Sequence, residues 1–353
     1  MTATPRYRVT DLVAFTEALF VHHGLEADKA AVVAPLLVEA DMMGHDTHGL
    51  QLAANYLKAL SSGDMRGDGA PDVIHNRGAA LAWDGGRRSG VWLTAHAVDT
   101  AVDRAGAHGT ATVVIRNSHH IACLAAFLPR ATTARCMIIL SSSDPSTASV
   151  APYGGTAAVF TPNPIAIGIP TEGDPILIDI SASITTNGMT GRLHGEGKPL
   201  PHAWVQDAAG AASTDPGVLF TDPPGTILPI GGQDHGHKGY GLALMIEAMT
   251  QALSGFGRAD TPTGWGASVF VQVIDPAAFA GRDAFTRQTA WLAAACRENP
   301  PAHGGPPVRL PGERALARRR AALSDGLALY PGIMEGLAPL AATAGLSPPA
   351  PLT

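Results

Sequence analysis

The chain has 353 residues and a net charge of −6, from 30 acidic and 24 basic residues, enough for one large domain or two to three intertwined ones. It offers no nucleic-acid footprint: its one basic run, Arg314 to Arg320, is interleaved with Ala and Leu and reads as the solvated face of a helix. Cys123, Cys136 and Cys296 lie too far apart for a disulfide framework or a zinc motif, no run of about 18 apolar residues offers a membrane span, and Met1 to Arg6 lacks the apolar stretch of a signal peptide, so a cytoplasmic protein is expected.

Apolar residues recur at helical spacing over residues 11–22 (Leu12, Val13, Phe15, Leu19, Phe20) and 27–43 (Val32, Val33, Leu36, Leu37, Ala40). A third helix, 52–60, is stopped by Ser61-Ser62-Gly63. Residues 79–83 read as a strand before the turn Asp84-Gly85-Gly86, and 94–107 as a helix ended by His108-Gly109. The β-branched run 113–115 predicts a short buried strand, followed through Asn117-Ser118-His119-His120 by a helix over 122–128. Strands are expected at 137–141, 165–169, 176–180 and 269–274. Helices are expected at 240–254 (apolar and therefore buried), 285–299 and 312–325. Helical segments at both chain ends should pack together, with 347–353 as a disordered tail.

The chemistry begins with His119-His120 at a strand-to-helix junction, where ligands sit in α/β folds. A histidine there can exchange a proton near neutral pH, although a hydrogen-bonded structural role is the commoner one. No Gly-x-Gly-x-x-Gly follows a strand; Gly67-Asp68-Gly69 follows a polar turn and opens no helix, so no dinucleotide fingerprint is present.

Several motifs in order resemble the malate/L-lactate dehydrogenase family of the non-Rossmann type, which includes ureidoglycolate and sulfolactate dehydrogenases and a Δ1-piperideine-2-carboxylate reductase. They are Gly44-His45-Asp46-Thr47-His48-Gly49, Asn117-Ser118-His119-His120, Val150-Ala151-Pro152-Tyr153-Gly154-Gly155 with Thr161-Pro162-Asn163-Pro164, Ala203-Trp204 with Ser213-Thr214-Asp215-Pro216, His237-Lys238-Gly239-Tyr240-Gly241-Leu242, and Leu310-Pro311-Gly312-Glu313-Arg314. The resemblance covers residues 8–340. It implies an α/β, non-Rossmann NAD(P)-binding fold with a central mixed, largely antiparallel sheet, flanked by a helical domain built from both chain ends. The expected division is an N-terminal helical segment 1–75, a cofactor and catalytic region 76–255, a C-terminal segment 256–345 packing back on the first, and a tail 346–353.

By the same resemblance His120 is the proton-relay residue, and His48, Leu52 and Tyr56 line the substrate pocket. NADH or NADPH rests on Ser143, Asp179, Ile180, Ser181, Lys238, Gly312, Glu313 and Arg314, without a metal, in a homodimer acting on a small molecule. The physics suits Lys238, a cation among glycines at a helix start, where ammonium, backbone and helix dipole can all meet a phosphate. Three of the family's basic positions are lost: Leu52 stands where an arginine grips a substrate carboxylate, Met43 replaces a second arginine, and Met189 a lysine. An arginine fork makes two charge-assisted bonds to a carboxylate and leucine makes none. The pocket should therefore be more apolar than in a malate or lactate enzyme, suiting a ketone or cyclic imine of specialised metabolism, unless Arg116 or Arg192 compensates. Two rival readings are a non-catalytic member of the fold that binds a small molecule or protein partner, and a metal protein using His45-x-x-His48, His119-His120 or His235 and His237.

Overall fold

The computed structural model describes residues 5–352. Residues 1–4, which carry most of the stretch read against a signal peptide, and the final residue of the expected tail lie outside it. A seven-stranded sheet forms the centre: β1 (Asp72–Asn76), β2 (Ala80–Asp84), β3 (Thr110–His119), β4 (Met137–Ser143), β5 (Pro164–Ile169), β6 (Ile176–Ser181) and β7 (Gly266–Ile274), in spatial order β1-β2-β3-β7-β4-β5-β6. Only β2 and β3 run parallel; every other neighbouring pair is antiparallel. The sheet is mixed and largely antiparallel, as the resemblance implied.

The helices are α1 (Val9–His22), α2 (Ala27–Met43), α3 (Ala53–Ser62), α4 (Gly90–His108), α5 (Asn187–Gly195), α6 (His237–Glu247), α7 (Arg282–Arg297), α8 (Glu313–Asp325) and α9 (Ile333–Thr343). Helix α4 makes the crossover between the parallel β2 and β3 and covers β3 and β7, which explains why Val113, Ile115, Val269, Val271 and Val273 form apolar runs with no solvent exposure. Helix α2 is buried along most of its length, between α1, α4 and α8, while α9 packs on α3. Arg6–Tyr7 pair antiparallel with Leu327–Ala328, so the two chain ends build one helical unit.

Four local expectations are corrected. The strand expected at 113–115 runs the full length of β3, through His119. The helix expected from 122 starts only at a tight turn, Leu124–Phe127, and continues at Leu128–Thr132, because Ala122 adopts a left-handed φ of 60° that no helix admits. The helix at 240–254 begins earlier, as α6, and loosens into a π turn at Ala248–Ala252. It is also not buried all round: Ala243, Ile246 and Thr250 face the interior, but Leu244, Met245 and Leu253 face solvent. The tail is tethered, since Leu352 N–H donates to the Arg6 carbonyl at 2.7 Å and its side chain fills the space left free by Gly326.

Candidate active site

A bulge in β3 aims the paired histidines. Ala267 of β7 faces Ser118 and Val269 faces Ile115, so Ser268 alone opposes both Arg116 and Asn117. Asn117 takes a left-handed φ of 51°, and both residues are tied to the Asp84 carboxylate, at 2.9 and 3.1 Å. Beyond the bulge the two rings part across Trp265. His119 is fully buried, edge-on to both Trp265 and Tyr56, whereas His120 stacks on the indole at 4.4 Å between centroids.

Tyr56 Oη lies 2.6 Å from His120 Nδ1, and Ala122 N–H donates to the same nitrogen at 3.3 Å. A backbone N–H can only donate, so Nδ1 accepts and the ring proton is assigned to Nε2. Burial, then the neighbouring His48 and His119, hold His120 well below the usual imidazole pKa, so the ring is neutral at pH 7.

His48 arrives from the loop after α2. Gly44 ends that helix in a left-handed turn, and Asp41 Oδ2 accepts the Leu50 N–H at 2.7 Å. Gly49 is required there: a Cβ would lie 2.3 Å from that carboxylate. Burial pushes Asp41 up to about 7. The His48 ring sits 6.1 Å from that of His120, its Nδ1 2.8 Å from Thr47 Oγ1, and burial with the nearby His45 and Arg192 pulls it down to about 4.

His45, Thr47, His48 and His120 line a cavity of about 790 Å³ together with Leu52, Ile121, Leu124, Met189, Trp204 and Trp265. Of the residues the sequence singled out, His48, Leu52, His120, Ser143, Asp179, Ile180 and Ser181 line it. Tyr56 stands behind His120 instead. Among the described residues no Lys or Arg lines the cavity, which does carry Asp144 and Asp179. The two arginines weighed as substitutes are engaged elsewhere: Arg116 with Asp84, and Arg192 with Asp46 at 2.9 Å, Gln51 at 2.6 Å and the face of Tyr330. Met43 is buried in the α2 packing.

The opposite wall is polar. Ser143 O–H donates to Glu247 Oε1 at 2.8 Å and accepts from Gln251 Nε2 at 3.0 Å and Arg258 Nη2 at 3.2 Å, while Arg258 also pairs with Glu247 at 2.9 Å. Asp179 takes the Ala125 N–H at 2.9 Å and the Cys123 thiol at 3.9 Å, and burial raises its pKa. Ligand atoms of His45, Cys123 and Asp179 fall within 4.8 Å of one another.

Lys238 is exposed in the first turn of α6, outside the cavity wall. That turn nevertheless abuts the cavity, because a Cβ on Gly239 would lie 2.3 Å from the nitrogen of the cavity residue Ile230. Gly312, Glu313 and Arg314 are placed apart from it. Pro311 and Gly312 pack on Leu177, at the end of β6 remote from Asp179–Ser181; Glu313 pairs with Arg297 and accepts the Leu310 N–H, and Arg314 is exposed.

Sequence reasoning missed Trp265, Cys123, Asp41 and the Glu247–Arg258 pair. A tryptophan between two glycines in a chain with 5% aromatic residues was the one available signal; the others depend on contacts distant in sequence.

The malate/L-lactate dehydrogenase family model matches residues 7–338. The L-lactate dehydrogenase of Cupriavidus necator is 31% identical, covering 92% of this chain and 93% of its own. The Δ1-pyrroline-2-carboxylate/Δ1-piperideine-2-carboxylate reductase of Pseudomonas putida is 30% identical, covering 94% of this chain and 96% of its own. A dehydrogenase structure from Sinorhizobium meliloti superposes with a TM-score of 0.84 at 32% identity, covering 96% of this chain and 98% of that one. The chain is an oxidoreductase belonging to the malate/L-lactate dehydrogenase family.

Proposed function

We propose that the protein is a nicotinamide-dependent reductase or dehydrogenase of a ketone/2-hydroxy acid or cyclic imine, with a substrate pocket more apolar than that of a malate or lactate enzyme, serving specialised metabolism. The observation that carries this is the cavity wall: a histidine held by Tyr56 and Trp265, and no Lys or Arg among the described lining residues. A carboxylate desolvated there without a cation would lose several kcal/mol of hydration with no compensating pair, on the order of the effective penalty for a buried ion. A neutral carbonyl or an imine incurs no such loss.

The family implies a nicotinamide cofactor, and the structure fits one. The Gly239 cradle brings the positive end of α6, with Lys238, against the cavity, where it would meet phosphate, while Ser143, Asp179, Ile180 and Ser181 would face the rest of the cofactor. The bound nicotinamide supplies or accepts the hydride. His120 offers its Nε2–H to the substrate oxygen or nitrogen in reduction while Nδ1 takes the Tyr56 hydroxyl proton, and in oxidation the same relay runs in reverse, Nε2 taking the substrate proton as Nδ1 returns one to Tyr56. Tyr56 and Ala122 fix the ring, Trp265 excludes water from one of its faces, and His48 stands beside it in the cavity. A neutral imidazole polarises a carbonyl without bringing a net charge into a dry site.

The test is titration of NADH and NADPH against wild type and Lys238→Ala, read by nicotinamide fluorescence. Micromolar binding of one cofactor, weakened by the substitution, supports the reading. Ketones and cyclic imines are then screened with His120→Ala as control. No binding of either cofactor overturns it and leaves the non-catalytic reading. We further propose a cytoplasmic homodimer. The three cysteines are free, no helix among the described residues is long and apolar enough to cross a membrane, and Leu244, Met245 and Leu253 beside α6 and Trp291 and Leu292 on α7 are exposed apolar groups that a second copy would cover. A monomer by light scattering overturns the dimer.

A further inference from the structure

We propose that His45, Cys123 and Asp179 form a binding site for one thiophilic divalent cation of the Zn2+ type, and that its occupancy blocks the nicotinamide. The three side chains come from three separate segments: the loop after α2, the irregular turn after β3, and β6. Their ligand atoms lie within 4.8 Å of one another, with Cys123 Sγ 3.9 Å from the Asp179 carboxylate. In a tetrahedral zinc site, with Zn–S near 2.3 Å and Zn–N or Zn–O near 2.0–2.2 Å, neighbouring donors stand roughly 3.4–3.6 Å apart. The cluster is therefore at most about 1.4 Å too open, a gap that small side-chain rotations close.

The donor set also has the right charge and softness. A thiolate, a carboxylate and a neutral imidazole sum to −2, and the sulfur selects zinc over magnesium or calcium. Binding releases the Cys123 proton to solvent. Asp179 is already oriented by the Ala125 N–H, and no Lys or Arg among the described residues lines the cavity to compete for it. All three residues line the cavity, so the fourth coordination position opens into it. The sequence spacing pointed to His45 with His48. In the structure His48 is turned instead toward Thr47 and His120, and His45 finds Cys123 and Asp179. The blockade, unlike the site itself, rests on the proposed cofactor reading: a cation held by Asp179 occupies the wall where that reading puts the nicotinamide.

The experiment titrates the metal-free protein with Co2+, a spectroscopic substitute for zinc, before any cofactor is added. Expected are one equivalent bound, the visible bands of tetrahedral cobalt, a thiolate-to-cobalt charge-transfer band, and displacement by Zn2+. Cys123→Ser should abolish the charge-transfer band, and His45→Ala should weaken binding at least about tenfold. Should either variant fail to fold, protection of Cys123 in the wild type from alkylation by added Zn2+, read by mass spectrometry, decides the same point. No tetrahedral spectrum, a charge-transfer band that survives Cys123→Ser, or no protection overturns the site. Added Zn2+ should raise the apparent Kd for NADH or NADPH in proportion to its occupancy; an unchanged Kd with cobalt bound overturns the blockade. If the metal-free protein binds neither cofactor, the functional reading fails while the cobalt spectrum still judges the site.

Discussion

On one wall of the cavity His48 stands beside His120, which with the buried His119 packs against Tyr56 and Trp265, and burial drives all three imidazoles toward their neutral forms, His48 and His119 to about 4 and His120 well below its ordinary value. Behind Ser143 on the other wall Glu247 and Arg258 form an ion pair at 2.9 Å, joined by Ser143, Asn163 and Gln251. Both walls are largely closed to water, yet one has shed charge and the other has kept it. A desolvated charge survives only beside a partner. The Arg258 guanidinium behind Ser143 is therefore already paired, and on the histidine wall a substrate meets neutral rings and apolar side chains.

The most severe way to break the neutral wall is His120→Ala. Loss of a positioned general acid or base lowers kcat by about 10²–10⁴-fold. Steady-state kinetics on any accepted ketone or imine should show this with cofactor affinity retained. A loss under tenfold would remove His120 from the reaction.

Asp41, which holds the loop behind the same wall, tests it through pH. Its folded pKa of about 7 stands above the ordinary carboxyl value of 3.8, so between these values the folded protein holds a proton that the unfolded chain has released. Stability from this group falls as pH rises through that window, by up to about 4 kcal/mol at 1.36 kcal/mol per unit. His48 and His119 act with the opposite sign, since their depressed pKa values make stability rise from about pH 4 to 6.5. Asp41→Asn keeps the acceptor for the Leu50 N–H and removes the first contribution. Urea unfolding should find the variant more stable than wild type at pH 8, equal at pH 4, and climbing more steeply with pH than the wild type in between. Parallel pH profiles would show Asp41 to be solvated.

Glu247→Gln breaks the charged wall while preserving an acceptor for Ser143 and Asn163. Arg258 loses its counter-charge, and the pair is only partly exposed, so unfolding should show a loss of about 2 kcal/mol. Unchanged stability would mean that solvent serves Arg258 as well as the carboxylate does.

The contrast between the walls was unevenly legible in the sequence. Residues carried by short local motifs, His48, His120, Ser143 and Asp179 to Ser181, converge on one cavity, because a motif preserves the strand end or turn that aims its side chains. Lys238 and Gly312 to Arg314 belong to equally local motifs but do not line it; what faces them is set by packing that no motif records. Trp265 could not be placed because its role depends on a two-against-one register between β3 and β7. Cys123 was hidden inside an expected helix that the left-handed Ala122 prevents. The apolar run of α6 and the following π turn signalled burial, but periodicity does not say whether the chain itself or a second copy covers the outward face.

The smallest expected effect sharpens the comparison most directly. Leu52 lines the cavity at the start of α3, where the family resemblance places an arginine. Leu52→Arg would put onto the neutral wall the unpaired cation it lacks. Part of the gain is offset by desolvating the new guanidinium, so one charged hydrogen bond, about 1.5 kcal/mol, is the realistic yield. The ratio of kcat/KM for a 2-oxo acid to that for its uncharged methyl ester should therefore move toward the acid by about tenfold, since 1.4 kcal/mol is a factor of ten. Measuring a ratio cancels any general loss of activity from crowding in the pocket. A shift in KM alone would place the new contact in the ground state, and a shift in kcat would place it in the transition state. An unchanged ratio would show that His48, Trp265 and the apolar walls, rather than the missing cation, decide what this cavity accepts.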